Sequence, residues 1–376
     1  MDSGTEKSLR DMLRLMTTPR VGSVKLSRLL DKLGSQTAVL AAGYERLADT
    51  NVLKADQTDW ITGRRWDEAS IDGQLEAMEL TGTRGLFISD DDYPEWLSQI
   101  YDPPPLLFVR GDSSCLADPC VGIVGTREPT SSGRETARRT AAELAAAGIC
   151  IVSGMALGID SEAHEGALEA GGTTAAVMGS GVDVIYPPQN EELAERIIAA
   201  GCIISEYRMG TPPEARNFPR RNRLISGLSR GLLVVEAPRK SGALLTAGYA
   251  LDQNRDVFAV PGDPNWPSRV GTNTLIADGA RLVQSPADIL AELDLGAGYR
   301  PFPPAGESGE QLPQKVLPPL SREERTVYEG LGHDVCHVDE LADRLGMDVS
   351  QVLGVLLRLD MKSLIREHPG KLFSLS

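Results

Sequence analysis

The chain has 376 residues, 41% hydrophobic and 24% charged, the make-up of a globular protein of two or three domains. It contains no apolar run of about 18 residues, and its N-terminus lacks the apolar segment of a signal peptide. No membrane association is therefore expected, and a cytoplasmic location is the default. The formal net charge of −15 speaks against nucleic acid, since phosphate contacts need Lys and Arg. That figure is an average, however, and binding follows local charge.

In chain order, the first segment is predicted to be helical. Leu9, Met12, Leu13 and Met16 recur at helical spacing, as do Leu26, Leu29, Leu30 and Leu33. The stretch Pro19–Ser23 turns the chain between them. Such a helix–Gly turn–helix either touches a DNA backbone through a helix N-terminus or is a plain helical hairpin. Residues 1–80 are assigned to this helical domain, of the SAM or helix-hairpin type.

Residues 81–295 alternate continuous apolar runs with helical patterns. The runs are Cys120–Val124, Ile149–Val152, Thr174–Met178, Cys202–Ile204, Leu232–Val235 and Val257–Val260. They read as strands buried on both faces, separated by helices such as Ser132–Ala147, Glu191–Ala200 and Leu244–Gln253. This alternation predicts an α/β domain with an extended Rossmann-like parallel sheet. Residues 296–320 hold six prolines and four glycines and read as a linker. Residues 321–376 read as three helices and a hairpin around Pro369–Gly370, a winged-helix arrangement. Its seven Lys and Arg against ten Asp and Glu give a net of −3, which favours a protein-contacting or silent module over one that reads duplex DNA.

The five cysteines form no C-x-x-C and are odd in number, so neither a disulfide framework nor a zinc site is expected; Cys150 and Cys202 read as buried thiols. His333 and His337 read as surface residues. No metal, cofactor or catalytic group is assigned.

Ligands of a doubly wound sheet bind beyond the carboxyl ends of its strands. Those ends carry Gly125-Thr126-Arg127, Ser153-Gly154, Gly179-Ser180-Gly181, Glu236 with Ser241-Gly242, and Pro261-Gly262. Glycine there lets backbone N–H groups approach an anion. The dinucleotide, P-loop and nucleophile-elbow patterns are absent. His164 is either a base or a packed residue, and Asp160 with Glu236 is either an acid–base pair or two structural acceptors.

The stretch Arg216–Arg230 contains five arginines and no acid, a basic island in an acidic chain. Lys240 follows on the next loop, and Phe218 stands just ahead of the arginines. A planar donor fork suits phosphate and an aromatic face suits a base, so the island points to single-stranded nucleic acid. The candidate DNA-binding set is Gly125, Arg127, Ser153, Gly154, Gly179, Gly181, Arg216, Phe218, Arg220, Arg221, Asn222, Arg223 and Lys240. For Asn222 and Arg223 a packing role is an equal alternative.

Several strings are distinctive together: DDDYP (90–94), GIVGTR (122–127), MGSGVDVIYP (178–187), NFPRRNRLISGLS (217–229) and GTNTLIADGA (271–280). They resemble the DprA/Smf family of DNA-processing proteins over residues 85–290. The resemblance implies an extended Rossmann fold, single-stranded DNA binding and protection, strand annealing, loading of the RecA recombinase in natural transformation, and a homodimer associating near 271–283. Two departures stand out. Pro188 follows Tyr186-Pro187 where the family often has Lys, and Ala215-Arg216 precedes Asn217 where Lys is common. The alternative is a nucleotide-processing enzyme of the lysine-decarboxylase-like phosphoribohydrolase type, whose P-G-G-x-G-T-x-x-E motif is missing.

Overall fold

A computed structural model describes residues 3–293, 320–331, 336–362, 364–368 and 371–375. The 296–320 linker expectation lies outside these except for Leu320, and so do His333 and the Pro369–Gly370 turn.

The first 80 residues form six helices: α1 (Ser3–Met16), α2 (Ser23–Leu33), α3 (Gln36–Ala41), α4 (Tyr44–Ala48), α5 (Ala55–Thr62) and α6 (Glu68–Leu80). Serine and aspartate start two of them: Ser35 accepts from Ala38 N ahead of α3, and Asp67 from Ala69 N ahead of α6. These helices have no core of their own. Leu9, Leu13 and Leu29 share one apolar cluster with Phe108, Met178 and Ile203 of the sheet, so helices and sheet make a single compact unit.

The sheet runs β1 (Arg84–Phe87), β2 (Leu106–Gly111), β3 (Cys120–Val124), β4 (Cys150–Ser153), β5 (Thr174–Val177), β6 (Cys202–Ser205), β7 (Gly231–Val234), β8 (Asp256–Ala259) and β9 (Arg281–Leu282). Their spatial order is β1-β2-β6-β5-β4-β3-β7-β8-β9. The strands β3 to β9 are parallel, and each continuous apolar run predicted above is one of them. Side chains alternate between two clusters, Ile123, Ile151 and Leu233 facing one way and Val124, Val152 and Val234 the other. The additions are at the edges. β1 and β2 join antiparallel beside β6, and β9 is only two residues long.

Helices α7 (Glu95–Ser98), α8 (Ser131–Ala146), α9 (Ile159–Glu169), α10 (Glu191–Ala200), α11 (Asn217–Leu228), α12 (Gly242–Asp252), α13 (Val270–Ala277) and α14 (Pro286–Glu292) complete the unit. All five cysteines are buried free thiols, and Cys115 Sγ lies 3.9 Å from Cys202 Sγ. No helix among the described residues is long and apolar enough to cross a membrane.

The C-terminal segment has helices α15 (Arg322–Leu331), α16 (Val338–Leu345) and α17 (Val349–Met361) around Val327, Leu341, Val352 and Leu356. Gly346 ends α16 in the left-handed region at φ 62°, and Asp348 caps α17. The hairpin is β11 (Ile365–His368) with β12 (Leu372–Leu375); a two-residue strand, β10 (Cys336–His337), adds to it unannounced by any periodicity. The fold is thus a mostly parallel α/β core with a winged helix at the C-terminus.

Candidate nucleic-acid interface

The sheet reverses its winding between β3 and β7, and a cleft of about 580 Å³ opens beyond their carboxyl ends. Gly125, Thr126 and Arg127 line it from the β3 side, Lys240 and Ser241 from the β7 side, and Phe218 and Asn222 from α11. The loop after β4 can approach because residue 158 is glycine. Its φ is +85°, and a Cβ there would lie 2.5 Å from Thr126 O and 2.7 Å from Arg127 O. Two helices, α11 and α12, begin at the cleft. α11 has no acid in its first turn, and Ser241 caps α12 by accepting from Ala243 N.

Most of the basic island is helix α11, with Arg216 just before it and Arg230 just after. With 3.6 residues per turn, α11 sends its arginines in different directions. Arg220 is exposed, and neither it nor Arg127 nor Lys240 forms an ion pair among the described residues, although the Arg127 charge acts on nearby Asp160. Arg216 is 74% exposed and paired to Glu214 at 2.5 Å. Arg221 is buried, and its Nη1 donates to Gly154 O at 2.7 Å and to Val177 O. Burial pushes the Arg221 guanidinium down to about 10, against the charge of nearby Asp160. Arg230 ends on another side, 5.2 Å from the ring centre of Trp96.

Arg223 is corrected as a DNA contact. Its Nη2 donates to Glu206 Oε2 at 2.6 Å and its Nη1 to Asp102 O at 2.9 Å, with side-chain exposures of 9% for Arg223 and 7% for Glu206. The guanidinium is taken up inside the protein. Ser153 is corrected likewise: fully buried, its hydroxyl donates to Ile123 O at 2.6 Å. Gly179 and Gly181 do not line the cleft. A Cβ on the first would meet Phe218 at 2.9 Å and on the second Asp183 at 2.5 Å, so these glycines make room for protein atoms. Gly154 lines a small recess of about 70 Å³ beside the cleft, with Arg127 and Arg221.

The open alternatives of the sequence separate cleanly. Glu236 is fully buried and bound to Arg269 Nε at 3.1 Å, a structural acceptor. Asp160 lies on the cleft wall, accepting from Gly154 N at 3.1 Å; burial raises its carboxyl above the usual range, partly opposed by Arg221. His164 is wholly buried and packed.

Tyr186 is the residue that sequence reasoning passed over. It lines both cleft and recess, 39% exposed, its ring 5.7 Å from that of Phe218 at an interplanar angle of 43°. An aromatic in a strand-end loop, after Gly179-Ser180-Gly181, was the available signal. Phe218 itself is half-buried, with Arg127 and Arg221 at 5.9 and 5.8 Å from its ring centre.

This geometry has known counterparts. The sequence profile described as DNA recombination-mediator protein A matches residues 84–294, and that of the DprA winged helix domain matches residues 311–371. The chain is 44% identical to the DNA processing protein DprA of Streptococcus pneumoniae over 268 residues, 70% of this chain and 94% of that one. It is 39% identical to protein Smf of Synechocystis over 326 residues, 79% and 81% of the two chains. Among solved structures, the S. pneumoniae DNA processing protein A superposes with TM-score 0.68 at 34% identity, covering 76% of this chain and 98% of that one. The Helicobacter pylori DNA processing protein A, solved for its single-stranded DNA binding mode, gives TM-score 0.51 at 33% identity, covering 56% and 94%. Profile, relatives and fold agree over the same residues that build the cleft, and the chain belongs to the DNA recombination-mediator protein A family.

Proposed function

We propose that the chain binds single-stranded DNA in the cleft at the β3/β7 switch point and catalyses no reaction there. The observation that carries this reading is that Arg127 and Lys240, neither of them ion-paired among the described residues, line a cleft that also holds aromatic side chains, with Arg220 exposed on the helix that begins there. Phosphate contacts come from these three, with Arg216 exchanging Glu214 for a phosphate. Gly125, Gly154, Phe218, Arg221 and Asn222 shape the walls. The H. pylori relative supports the same ligand class. In this reading the protein acts in the cytoplasm as a homodimer, protects and anneals incoming strands and passes them to the RecA recombinase in natural transformation. Residues 1–80, 81–295 and 321–376 are its working parts, and the winged helix contacts protein.

The test is a titration of single- and double-stranded oligonucleotides at two salt concentrations. Single strands are expected to bind more tightly. Replacing Arg127 and Arg220 together by Ala is expected to weaken all single strands alike and flatten the salt dependence by about 0.7 per lost contact. Unchanged affinity in a folded double variant removes these residues from the site. Release of base from a nucleoside monophosphate would favour the phosphoribohydrolase alternative.

A further inference from the structure

Four of the five cysteines gather at the amino ends of the parallel strands, the edge of the sheet opposite the cleft. Cys120, Cys150 and Cys202 are the first residues of β3, β4 and β6, and they share one apolar cluster with Cys115. Cys115 comes to them on a one-turn 3-10 helix, Ser113–Leu116, between β2 and β3. Asp112 caps that turn by accepting from Ser114 N at 2.9 Å, and its own N–H donates to Gly201 O at 2.8 Å. Gly111 permits the approach: its φ is +96°, and a Cβ there would lie 2.3 Å from Gly201 O. The backbone therefore holds the Cys115 turn against the residue that precedes Cys202.

A buried free cysteine ordinarily serves as a small apolar side chain. Here the sulfurs meet one another. Cys115 Sγ lies 3.9 Å from Cys202 Sγ, about 2 Å more than a covalent S–S bond. The Cys150 and Cys202 thiols act as donors toward Cys115 and hold its sulfur well below the usual thiol range, while the same contacts and burial push Cys150 and Cys202 above it. Cys115 is thus the nucleophile of the group, since the thiolate is the reactive form. It is also the most exposed of the four, at 5%, against 2% for Cys120 and 0% for Cys150 and Cys202.

We propose that Cys115 and Cys202 form a redox-active pair that a peroxide converts to an intramolecular disulfide. The Cys115 thiolate attacks one peroxide oxygen; an S–O bond forms, the O–O bond breaks, and the departing hydroxide takes up a proton and leaves as water. The Cys202 sulfur then attacks the sulfur of the Cys115 sulfenic acid. The S–S bond forms, the S–O bond breaks, and hydroxide leaves as water with the proton that Cys202 gives up. Two thiols lose two electrons and two protons, and one peroxide becomes two waters. The bond joins positions 87 apart in sequence and ties the turn before β3 to the start of β6. A reducing dithiol reverses it by exchange. This site stands apart from the cleft and does not depend on the nucleic-acid reading.

In the test, the full chain is reduced, treated with hydrogen peroxide in its folded state and digested without reduction. The expected product is one cross-linked pair of peptides carrying Cys115 and Cys202, with the thiols titratable after denaturation falling by two from five. Dithiothreitol restores them. Cys202→Ala is expected to leave Cys115 as a sulfenic acid that dimedone labels, whereas Cys115→Ala leaves Cys202 unlabelled and Cys120→Ala cross-links as the unaltered chain does. The urea midpoint of the oxidised chain is expected to rise, since the bond restricts a long segment of the unfolded chain. A cross-link between any other pair, peroxide that consumes no thiol of the folded chain, or dimedone on Cys202 in place of Cys115 overturns the proposal. A midpoint that falls on oxidation overturns it too, because the native fold would then not accommodate the bond. The peptide map of the unaltered chain decides the pairing even where a variant fails to fold.

Discussion

One ring nitrogen of His164 has a partner and the other has none. Thr174 Oγ1 donates to Ile151 O at 2.7 Å, so the hydroxyl oxygen accepts from His164 Nδ1–H, also at 2.7 Å. Nδ1 thus carries the proton, and Nε2 is a bare acceptor without a hydrogen-bond partner among the described residues. Burial, reinforced by the positive charge of Arg221, drives this imidazole down from 6.5 to about 3. The unfolded chain takes up a proton near pH 6.5 that the folded chain refuses. The stabilisation is therefore complete above pH 6.5 and is lost as the pH falls toward 3. Between pH 7 and pH 5 this amounts to about 2 kcal/mol. Urea midpoints measured at the two pH values are expected to differ less in His164→Asn, which keeps a donor toward Thr174, than in the unaltered chain. The histidine was visible in the sequence; that it is a packed residue and not a base depended on its neighbours from β4 and β5.

Helix α11 shows how one element divides a single run of sequence between structure and ligand. Arg220 faces solvent, Arg221 reaches inward to backbone carbonyls, and Arg223 joins Glu206 and Asp102. Ser23 Oγ, at the start of α2, donates to the same Glu206 carboxylate at 2.6 Å, so this pair also ties the N-terminal helices to the sheet. Breaking a buried pair leaves an uncompensated charge, at a cost of about 3–5 kcal/mol. Arg223→Ala is expected to lower the urea midpoint accordingly, while single-stranded DNA affinity in the folded range changes less than twofold. A tenfold loss of affinity with intact stability would return Arg223 to the binding set. Composition revealed the excess of arginine in this stretch. Which arginine faces which way required the helix phase and the acidic side chains of Glu206, just past β6, and Asp102, both distant in sequence.

At the scale of the whole molecule, net charge and local charge are separate quantities. The chain carries −15, yet Arg127 and Lys240 line its cleft without an ion pair among the described residues, so most of the acidity lies elsewhere, part of it in the C-terminal winged helix. On α17, Leu357 is 64% exposed and Arg358 is the one basic residue, which suits a protein surface better than a major groove. Removing residues 321–376 is expected to leave single-stranded affinity within a few-fold of the full chain, measured by anisotropy at fixed salt. A loss of tenfold or more would place the winged helix in DNA binding.

The parallel core was legible because its signal is local: an unbroken apolar run of four or five residues must be buried on both faces, and the intervening helices force parallel crossovers. The short edge strands β1, β9 and β10 carry no such run, and their pairing comes from the strands they join; β2 does carry one, Leu106–Val109, but its antiparallel place beside β6 is set by the fold. The glycine-ended strand tips likewise lie at the edge of the sheet where the cleft opens. Only the tertiary structure decided which of these residues line the cleft, because hydrogen bonds and ion pairs from distant segments claim Ser153, Arg223 and Glu236 while Arg127, Lys240 and Tyr186 remain in its lining. Basic and aromatic residues near a strand end are a property of sequence; their freedom to meet a ligand is a property of what else the fold brings beside them.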